Sequence, residues 1–290
     1  LNFSKPENFQ PFILISVIFS CALIPILLTK RKAPTFKKIT TMNIRDLYKA
    51  SPLGAVCALL FGATQSAFFM LLAVYGASMN FSIFEISFVT FLVGISGAIS
   101  QYPVGYLSDK LDRRLVIIYS SFGASIFAIM AIFSVKTMFL PEGLASSKSW
   151  FFIFLVLFSF CSLPIFSQIL AHTNDFITKD KFVAAGAGLQ FAFGLGAMSG
   201  PFLCSLVMDL MGPNGFFIFH IFFHLIIGFF GIHRMKARPV KENPDSQFVP
   251  VPQTITPIGL ELNPTTEPIE EPYTEKVQEM LKRKGVSYKK

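Results

Sequence analysis

The chain has 290 residues, of which 52% are hydrophobic and 14% are charged, whereas a typical soluble domain carries about 25% charged residues. Its 35 phenylalanines outnumber its 25 lysines and arginines, and a bilayer accepts that much apolar surface where a soluble domain does not. The net charge of +8 does not indicate nucleic acid as a partner, because the basic residues flank apolar runs instead of forming a basic surface with interleaved aromatic residues. The composition therefore predicts an integral membrane protein.

Seven apolar stretches are long enough to cross a membrane, which takes roughly 20 mostly apolar residues and about 17 at the least. Because backbone polar groups in lipid must be satisfied within the segment, we expect each stretch to be a helix. In chain order the predicted spans are Phe12–Leu28, Leu53–Tyr75, Ile83–Val104, Leu115–Phe133, Trp150–Ala171, Ala184–Met208 and Phe216–Ile232. The sequence thus predicts an all-α membrane protein with seven transmembrane helices.

The lysines and arginines lie mainly on one side of these spans. Sixteen occupy alternate connections and the start of the tail: Lys30, Arg31, Lys32, Lys37, Lys38, Arg45, Lys49, Lys110, Arg113, Arg114, Lys179, Lys181, Arg234, Lys236, Arg238 and Lys241. The other side holds three: Lys5, Lys136 and Lys148. Since cytoplasmic segments are enriched in Lys and Arg, we expect an extracytoplasmic N-terminus and a cytoplasmic C-terminus.

The chain divides into four predicted segments. A long polar connection inside a tight bundle is typical of an inter-domain linker, and a tail with eight of the 18 prolines and eight of the 17 acidic residues favours disorder. Short helices are predicted at Asn43–Lys49 in the linker and Thr274–Lys284 in the tail. The segments are an extracytoplasmic start with the first span (1–28), a basic cytoplasmic linker (29–50), six spans (51–234) and a largely disordered cytoplasmic tail (235–290).

One loop carries the most specific pattern. After the third predicted span the sequence reads Gly105-Tyr-Leu-Ser-Asp109-Lys110-Leu-Asp112-Arg113-Arg114. It resembles the signature loop of the major facilitator superfamily, Gly-x-x-x-Asp-(Arg/Lys)-x-Gly-x-(Arg/Lys)-(Arg/Lys). Two differences occur: the chain has one residue fewer before the last basic pair, and Asp112 stands where the family usually has glycine. Three basic residues alone would indicate only positive-inside topology, but Gly105 and Asp109 at this spacing favour the family.

The resemblance implies roles for this loop. Gly105 would let the helix end approach a neighbour, and Asp109 would face the positive end of a helix in the other half of the protein as a cytoplasmic latch. Arg113 or Arg114 could pair with an acidic group when the cytoplasmic side is closed. Lys110 would belong to the same cytoplasmic gate. The expected partners lie in the next cytoplasmic connection, at Asp175 or Asp180.

A second, less specific pattern is Gly194-Leu-Gly196-Ala-Met-Ser-Gly200-Pro201, which is similar to glycine–proline patterns in helices five and eleven of the family. Small residues one turn apart let helices pack closely, so Gly196, Gly200 and Pro201 are predicted helix-packing residues.

The resemblance covers roughly residues 12–232 and implies that the seven spans are helices six to twelve of a twelve-helix fold, the C-terminal half plus one helix. The chain opens with Leu1 and without the basic start of a signal peptide, so we expect an N-terminally truncated chain whose missing half contains the first five helices. The stretch from Ala171 to Pro201 resembles uncharacterised bacterial members more than the well-studied sugar carriers.

Polar side chains inside spans are costly and often functional. Gln65 lies near the middle of the second predicted span, with Thr64 and Phe68 beside it; it can bind a substrate or join two helices by a hydrogen bond, and the sequence leaves both open. Gln190, nearer a cytoplasmic end, is a candidate for substrate binding, packing or gating. His220 and His224, one turn apart in the last span, can form a proton relay, but an interhelical hydrogen bond is favoured because the resemblance makes this helix peripheral.

Other classes fit less well. Seven helices with this orientation also describe a receptor or sensor, the alternative function, but there is no lysine in the last span for a retinal Schiff base. No metalloprotease, hydrolase or nucleotide-binding motif occurs, and the four cysteines lie singly in apolar runs, so neither an enzyme nor a metal or other cofactor is predicted.

Taken with the resemblance, the sequence predicts a secondary active transporter of a small solute that works by alternating access. The expected partners are that solute, a coupling proton or ion, membrane lipid and the missing N-terminal half. The expected location is the bacterial inner membrane.

Overall fold

A computed structural model describes residues 9–24, 28, 42–137, 147–178, 181–237 and 250. These residues are helical or lie in short connections, and no strand occurs among them. Six helical segments within these ranges are long and apolar enough to cross a membrane, as the sequence predicts for residues 51–234.

The chain separates into two compact units, one formed by Leu1–Lys37 with Ile269–Lys290 and the other by Lys38–Pro268. In the first unit, helix α1 spans Gln10–Ala22. Its apolar part, Phe12–Ala22, is shorter than a membrane span requires, and residues 25–27 of the predicted span lie outside the described residues. The first predicted span, Phe12–Leu28, therefore stays a prediction, as does the helix at Thr274–Lys284, which lies outside the described part of the chain.

The second unit begins with a short helix, α2, at Ile44–Ala50, where the sequence predicted Asn43–Lys49. The longer helices follow, each within a few residues of a predicted span or extending beyond it: α3 (Pro52–Ser78), α4 (Ile83–Lys110), α5 (Arg113–Thr137), α6 (Ser147–Ser162), α7 (Ile165–Asn174), α8 (Phe182–Met211) and α9 (Gly215–Ala237).

The turn between α3 and α4 follows from local chemistry. Asn80 adopts φ 57°, a left-handed conformation that asparagine tolerates better than most residues. The Phe81 amide then donates to the Gly76 carbonyl at 2.9 Å and the Asn80 amide to the Ala77 carbonyl at 3.1 Å, which is the bonding of a Schellman helix end. Two residues later Ser82 and Glu85 form a capping box that starts α4.

One predicted span, Trp150–Ala171, differs from expectation because it contains two helices. Helix α6 ends at Ser162 and α7 begins at Ile165 after Leu163 and Pro164. Proline has no amide hydrogen and its ring clashes with the carbonyl four residues earlier, so the break lies at Pro164. Together the two helices still form one apolar segment of spanning length.

Close contact between α3 and α8 rests on glycines. A side chain on Gly196 would overlap the carbonyl oxygen of Leu59, and one on Gly200 would overlap that of Ala63. The Ser66 hydroxyl adds a hydrogen bond to the Ala197 carbonyl, 2.9 Å away. Backbones can approach this closely only where side chains are missing or small.

Aromatic side chains fill much of the interior. One core cluster contains Phe68, Tyr75, Phe151, Phe158 and Phe216, with Tyr75 stacked between Phe151 and Phe216 at centroid distances of 5.8 and 5.2 Å. A second cluster is built around Phe61, Phe166 and aliphatic residues of α2, α5, α8 and α9.

Candidate functional site

The signature loop forms a two-residue connection, Leu111–Asp112, between α4 and α5. Gly105 is buried on the last turns of α4, Lys110 is exposed, and Arg113 and Arg114 are 7% and 4% exposed at the start of α5. The Lys110 ammonium lies 4.3 Å from the centroid of the Tyr106 ring, within the range of a cation–π contact. The two arginines are thus held inside the unit, while Lys110 is at its surface.

Asp112 caps α5. Its carboxylate accepts the Arg114 backbone amide at 3.0 Å, the bond expected from an aspartate that precedes a helix. The same carboxylate accepts the Arg114 guanidinium through Nε at 3.0 Å and a terminal nitrogen at 2.7 Å. The residue that departs from the family glycine therefore starts the helix and neutralises a buried arginine.

The electrostatics of Asp112 follow from these contacts. Partial burial acts to raise the pKa of its carboxyl group, but the hydrogen bonds from the side chain and backbone of Arg114, and the positive charge, act more strongly together. The pKa of Asp112 consequently lies below its ordinary value, and the carboxylate stays ionised at neutral pH.

Arg113 lies between two carboxylates. Its guanidinium nitrogens are 3.3 Å from Asp109 on the preceding helix and 3.5 Å from Asp175 at the end of α7. The side chains of Arg113 and Asp175 are 8% and 11% exposed, and that of Asp109 is 38% exposed. Asp180, the other predicted partner, lies outside the described residues. The structure thus brings Asp109, Arg113 and Asp175 together.

A small cavity lies beside this network. It has a volume of about 20 Å³ and is lined in part by Ser51, Arg114, His172 and Arg234. Such a volume holds about one water molecule. It is too small for an organic solute.

The candidate substrate-binding residues of α3 are largely buried. Gln65 is 3% exposed, and its amide nitrogen has no hydrogen-bond partner among the described residues. The Thr64 hydroxyl donates to the Phe61 carbonyl at 2.9 Å. Phe68 packs against Phe158 and Phe216 at centroid distances of 5.3 and 5.8 Å, and so is part of the aromatic core.

Gln190 on α8 is half-buried, and its amide oxygen has no partner within the described part of the chain. Gln65 and Gln190 therefore each have an unpaired amide atom, which a ligand or a water molecule can satisfy. The predicted packing residues of α8 behave differently: Gly196 and Gly200 lie against α3, and Pro201 is inside the continuous helix.

The two histidines of α9 each reach another helix. The Nε2 atom of His224 is 2.9 Å from the Ser162 hydroxyl of α6, and the Nε2 atom of His220 is 3.1 Å from the Thr64 carbonyl of α3. Both side chains are almost fully buried. These are interhelical contacts of the kind the sequence favoured for this pair.

Comparison with known families decides the class of protein. Two overlapping segments, residues 10–141 and 54–284, match the model of the Major Facilitator Superfamily. The chain belongs to this superfamily. The recognition made from the signature loop is confirmed, and no finding supports the receptor alternative.

Two curated relatives belong to the same superfamily. An uncharacterized MFS-type transporter of Escherichia fergusonii is 20% identical over 206 residues, which is 70% of this chain and 50% of the relative. One of Yersinia enterocolitica is 21% identical over 208 residues, again 70% of this chain and 50% of the relative. The superfamily chain described here thus spans about half the length of these relatives, and no solved structure matches it.

Family membership and the six apolar spanning segments in the described part of the chain make this superfamily member a multi-pass membrane protein. Sequence reasoning found the loop residues but missed the role of Asp112 as a cap. A signal was present, since an aspartate directly before a predicted helix is a common cap. The family pattern has a glycine at that position and so does not indicate a cap.

Proposed function

We propose that the chain is the C-terminal part of a secondary active transporter that moves a small solute by alternating access. The observation that carries the proposal is the position of Arg113, buried between Asp109 and Asp175 in the family loop. A solute or ion gradient, with a proton or another ion coupled to the solute, would supply the free energy. No covalent chemistry is part of the proposal.

The complete transporter would have twelve helices. The first predicted span and the six spanning segments of the second unit would be helices six to twelve, and an N-terminal half would close the central cavity. The relatives, twice as long as the matched region, support this arrangement. Since both relatives are bacterial, we place the protein in the bacterial inner membrane with a cytoplasmic C-terminus.

The loop would act as a cytoplasmic gate. Arg113 ties the end of α4 to the end of α7, so these two helix ends move together. The Asp109 side chain is 38% exposed, and its carboxylate can therefore also face a helix N-terminus of the other half. Opening the cytoplasmic side would break that second contact. Lys110 and Arg114 of the same loop would belong to this gate. Asp175 or Asp180, in the next cytoplasmic connection, would be the acidic partner.

The proposed substrate site is centred on Gln65 and Gln190, whose unpaired amide atoms can hydrogen-bond a polar solute. Thr64 and Phe68 are buried near Gln65 in the sequence of α3 and would help to set its position. A polar solute that pairs with these amides would relieve the cost of leaving them unsatisfied, about 1 to 3 kcal/mol for each atom.

The test starts from the full-length protein in detergent, screened by thermal unfolding against a panel of small solutes. A solute that raises the melting temperature is then supplied to proteoliposomes, where we expect saturable uptake. The variant Asp109→Asn should keep the thermal shift but lose roughly tenfold or more in uptake rate, about 1.4 kcal/mol in the barrier.

The matched control is Asp46→Asn, which makes the same change at an exposed residue of α2 and should leave uptake unchanged. A stabilising solute that never crosses the membrane would contradict transport. Unchanged uptake by Asp109→Asn, at normal expression, would contradict the gate while leaving transport standing.

A further inference from the structure

The imidazole of His220 is surrounded by acceptors rather than donors. Its Nδ1 atom is 2.7 Å from the Phe216 carbonyl oxygen, and its Nε2 atom is 3.1 Å from the Thr64 carbonyl oxygen. Both distances are typical of N–H···O hydrogen bonds. A carbonyl oxygen can only accept, so each of these bonds requires a hydrogen on the ring nitrogen.

A neutral histidine cannot make both bonds. It carries a hydrogen on one ring nitrogen and a lone pair on the other. In the neutral ring, one nitrogen lone pair would point at a carbonyl oxygen in a site that is 1% exposed. The imidazolium form has a hydrogen on each nitrogen and satisfies both carbonyls.

The neighbouring histidine has the opposite pattern. His224 Nδ1 is 2.8 Å from the His220 carbonyl and can donate, while its Nε2 atom is 2.9 Å from the Ser162 hydroxyl and can accept. A neutral ring satisfies every one of these contacts. Two histidines one turn apart in the same helix therefore differ in how many ring hydrogens their surroundings require.

The surroundings of His220 also bear on a positive charge. Burial opposes the charge, because the ring has left water. Against this, the phenyl rings of Phe68, Phe158, Phe216 and Phe219 lie with centroids 4.7 to 5.7 Å from that of the imidazole. The planes of these rings lie at 47 to 86° to that of the imidazole. A ring that turns its face to the imidazole in such a pair attracts a cation, and the two carbonyl dipoles also favour a positive charge.

The titratable groups near the site are few. Helix α3 presents Thr64 and Phe68 to the ring and α6 presents Phe158, none of which carries a charge. The titratable neighbour is His224 on α9 itself, whose ring centroid is 6.5 Å away. Tyr75 contacts Phe216 rather than the imidazole. Among the described residues no carboxylate forms an ion pair or hydrogen bond with His220.

We propose that His220 is a proton-binding site, in which a bound proton turns the ring into an imidazolium that links the carbonyl of Thr64 on α3 to that of Phe216 on α9. Loss of the proton removes one of the two hydrogen bonds. Either the bond to Thr64, which links α9 to α3, is lost, or the bond to Phe216, which holds the ring in place on α9. The inference rests on this geometry and not on the proposed transport. Within a transporter it would connect proton binding to the helix that carries Gln65.

The experiment is nitrogen NMR of the full chain, labelled with ¹⁵N-histidine, in lipid bilayers at about pH 6, slightly below the ordinary histidine pKa. We expect His220 to show two protonated ring nitrogens and His224 to show one. The exposed His233 is the reference for a solvated ring.

Assignment does not depend on a variant at the site. The variants His172→Gln, His224→Gln and His233→Gln each remove one set of signals, and the signals common to all three belong to His220. His220→Gln, if it folds, should remove two protonated signals, against one for His224→Gln. A His220 ring with a single protonated nitrogen at about pH 6 would overturn the proposal, since an unassisted buried imidazole is neutral there.

Discussion

At the scale of single residues, Asp112 shows how one side chain can serve a helix and a charge at once. Its carboxylate accepts the Arg114 backbone amide and the Arg114 guanidinium. A glycine at this position would fit a tight turn but would offer neither bond. The guanidinium, 5% exposed, would then lose its partner on this side.

We therefore expect Asp112→Ala to destabilise the protein by about 2 to 4 kcal/mol, since a cap contributes about 1 kcal/mol and hydrogen bonds to a charged group about 1.5 to 3 kcal/mol. Asp112→Asn, the control, keeps the capping oxygen and should lose only part of this. Thermal unfolding in detergent, followed by size-exclusion chromatography, measures both. Equal melting temperatures for the alanine variant and the wild type would show that the pair contributes nothing.

At the scale of helices, the α3–α8 contact depends on which glycine of α8 faces α3. Gly196 and Gly200 lie one turn apart against the backbone of α3, while Gly194 has no atom within 4 Å of where a side chain would begin. Glycine spacing in the sequence marks all three, but the face of the helix separates them.

Gly196→Ala should accordingly destabilise the unit by about 1 to 3 kcal/mol, because the added methyl group overlaps a backbone that cannot move away without parting the helices. Gly194→Ala is the matched control in the same helix. It should be neutral or stabilise by about 0.5 to 1 kcal/mol, since alanine is the better helix former. Chemical or thermal unfolding in the same detergent measures the stability of both variants. A Gly196→Ala variant more stable than Gly194→Ala would contradict the packing.

The break at Pro164 belongs to the same scale. Helix α7 begins directly after it, and Asp175 at the end of α7 lies 3.5 Å from Arg113. The charged contact thus lies one short helix, eleven residues, after the proline.

At the scale of the whole molecule, the distribution of charge predicts the orientation. Sixteen basic residues on one side against three on the other is a strong positive-inside asymmetry. A fluorescent protein fused after Lys290 should fold and fluoresce in the cytoplasm, and alkaline phosphatase at the same position should be inactive. A second fusion, in the turn at Asn80, should give the opposite pair of results.

An active phosphatase after Lys290 would reverse the predicted topology. It would also place the signature loop on the extracytoplasmic side, where it could not act as a cytoplasmic gate.

The length of the relatives leads to a second prediction at this scale. The genomic sequence upstream of the codon for Leu1 should encode five further spans and another glycine–aspartate–arginine loop, because the superfamily fold repeats its halves. A start codon close to Leu1, with no further spans, would contradict the twelve-helix architecture.

The sequence by itself determined the features that depend on residues close together in the chain. Runs of apolar residues set the spanning helices, because lipid admits a backbone only when it bonds to itself. The spacing of Gly105, Asp109 and Arg113 identified the superfamily. These signals lie within one helix or one loop, so they can be read without knowing the fold.

Only the tertiary structure decided which of these residues meet. Thr64 and His220 are 156 residues apart in the chain, and nothing near either one indicates that a carbonyl of α3 will face an imidazole of α9. In the same way, Gln65 and Phe68, three residues apart in α3, differ in their surroundings: Phe68 joins the aromatic core, while the Gln65 amide nitrogen has no hydrogen-bond partner among the described residues. The face that each side chain presents depends on how the helices pack, and packing is a property of residues distant in sequence.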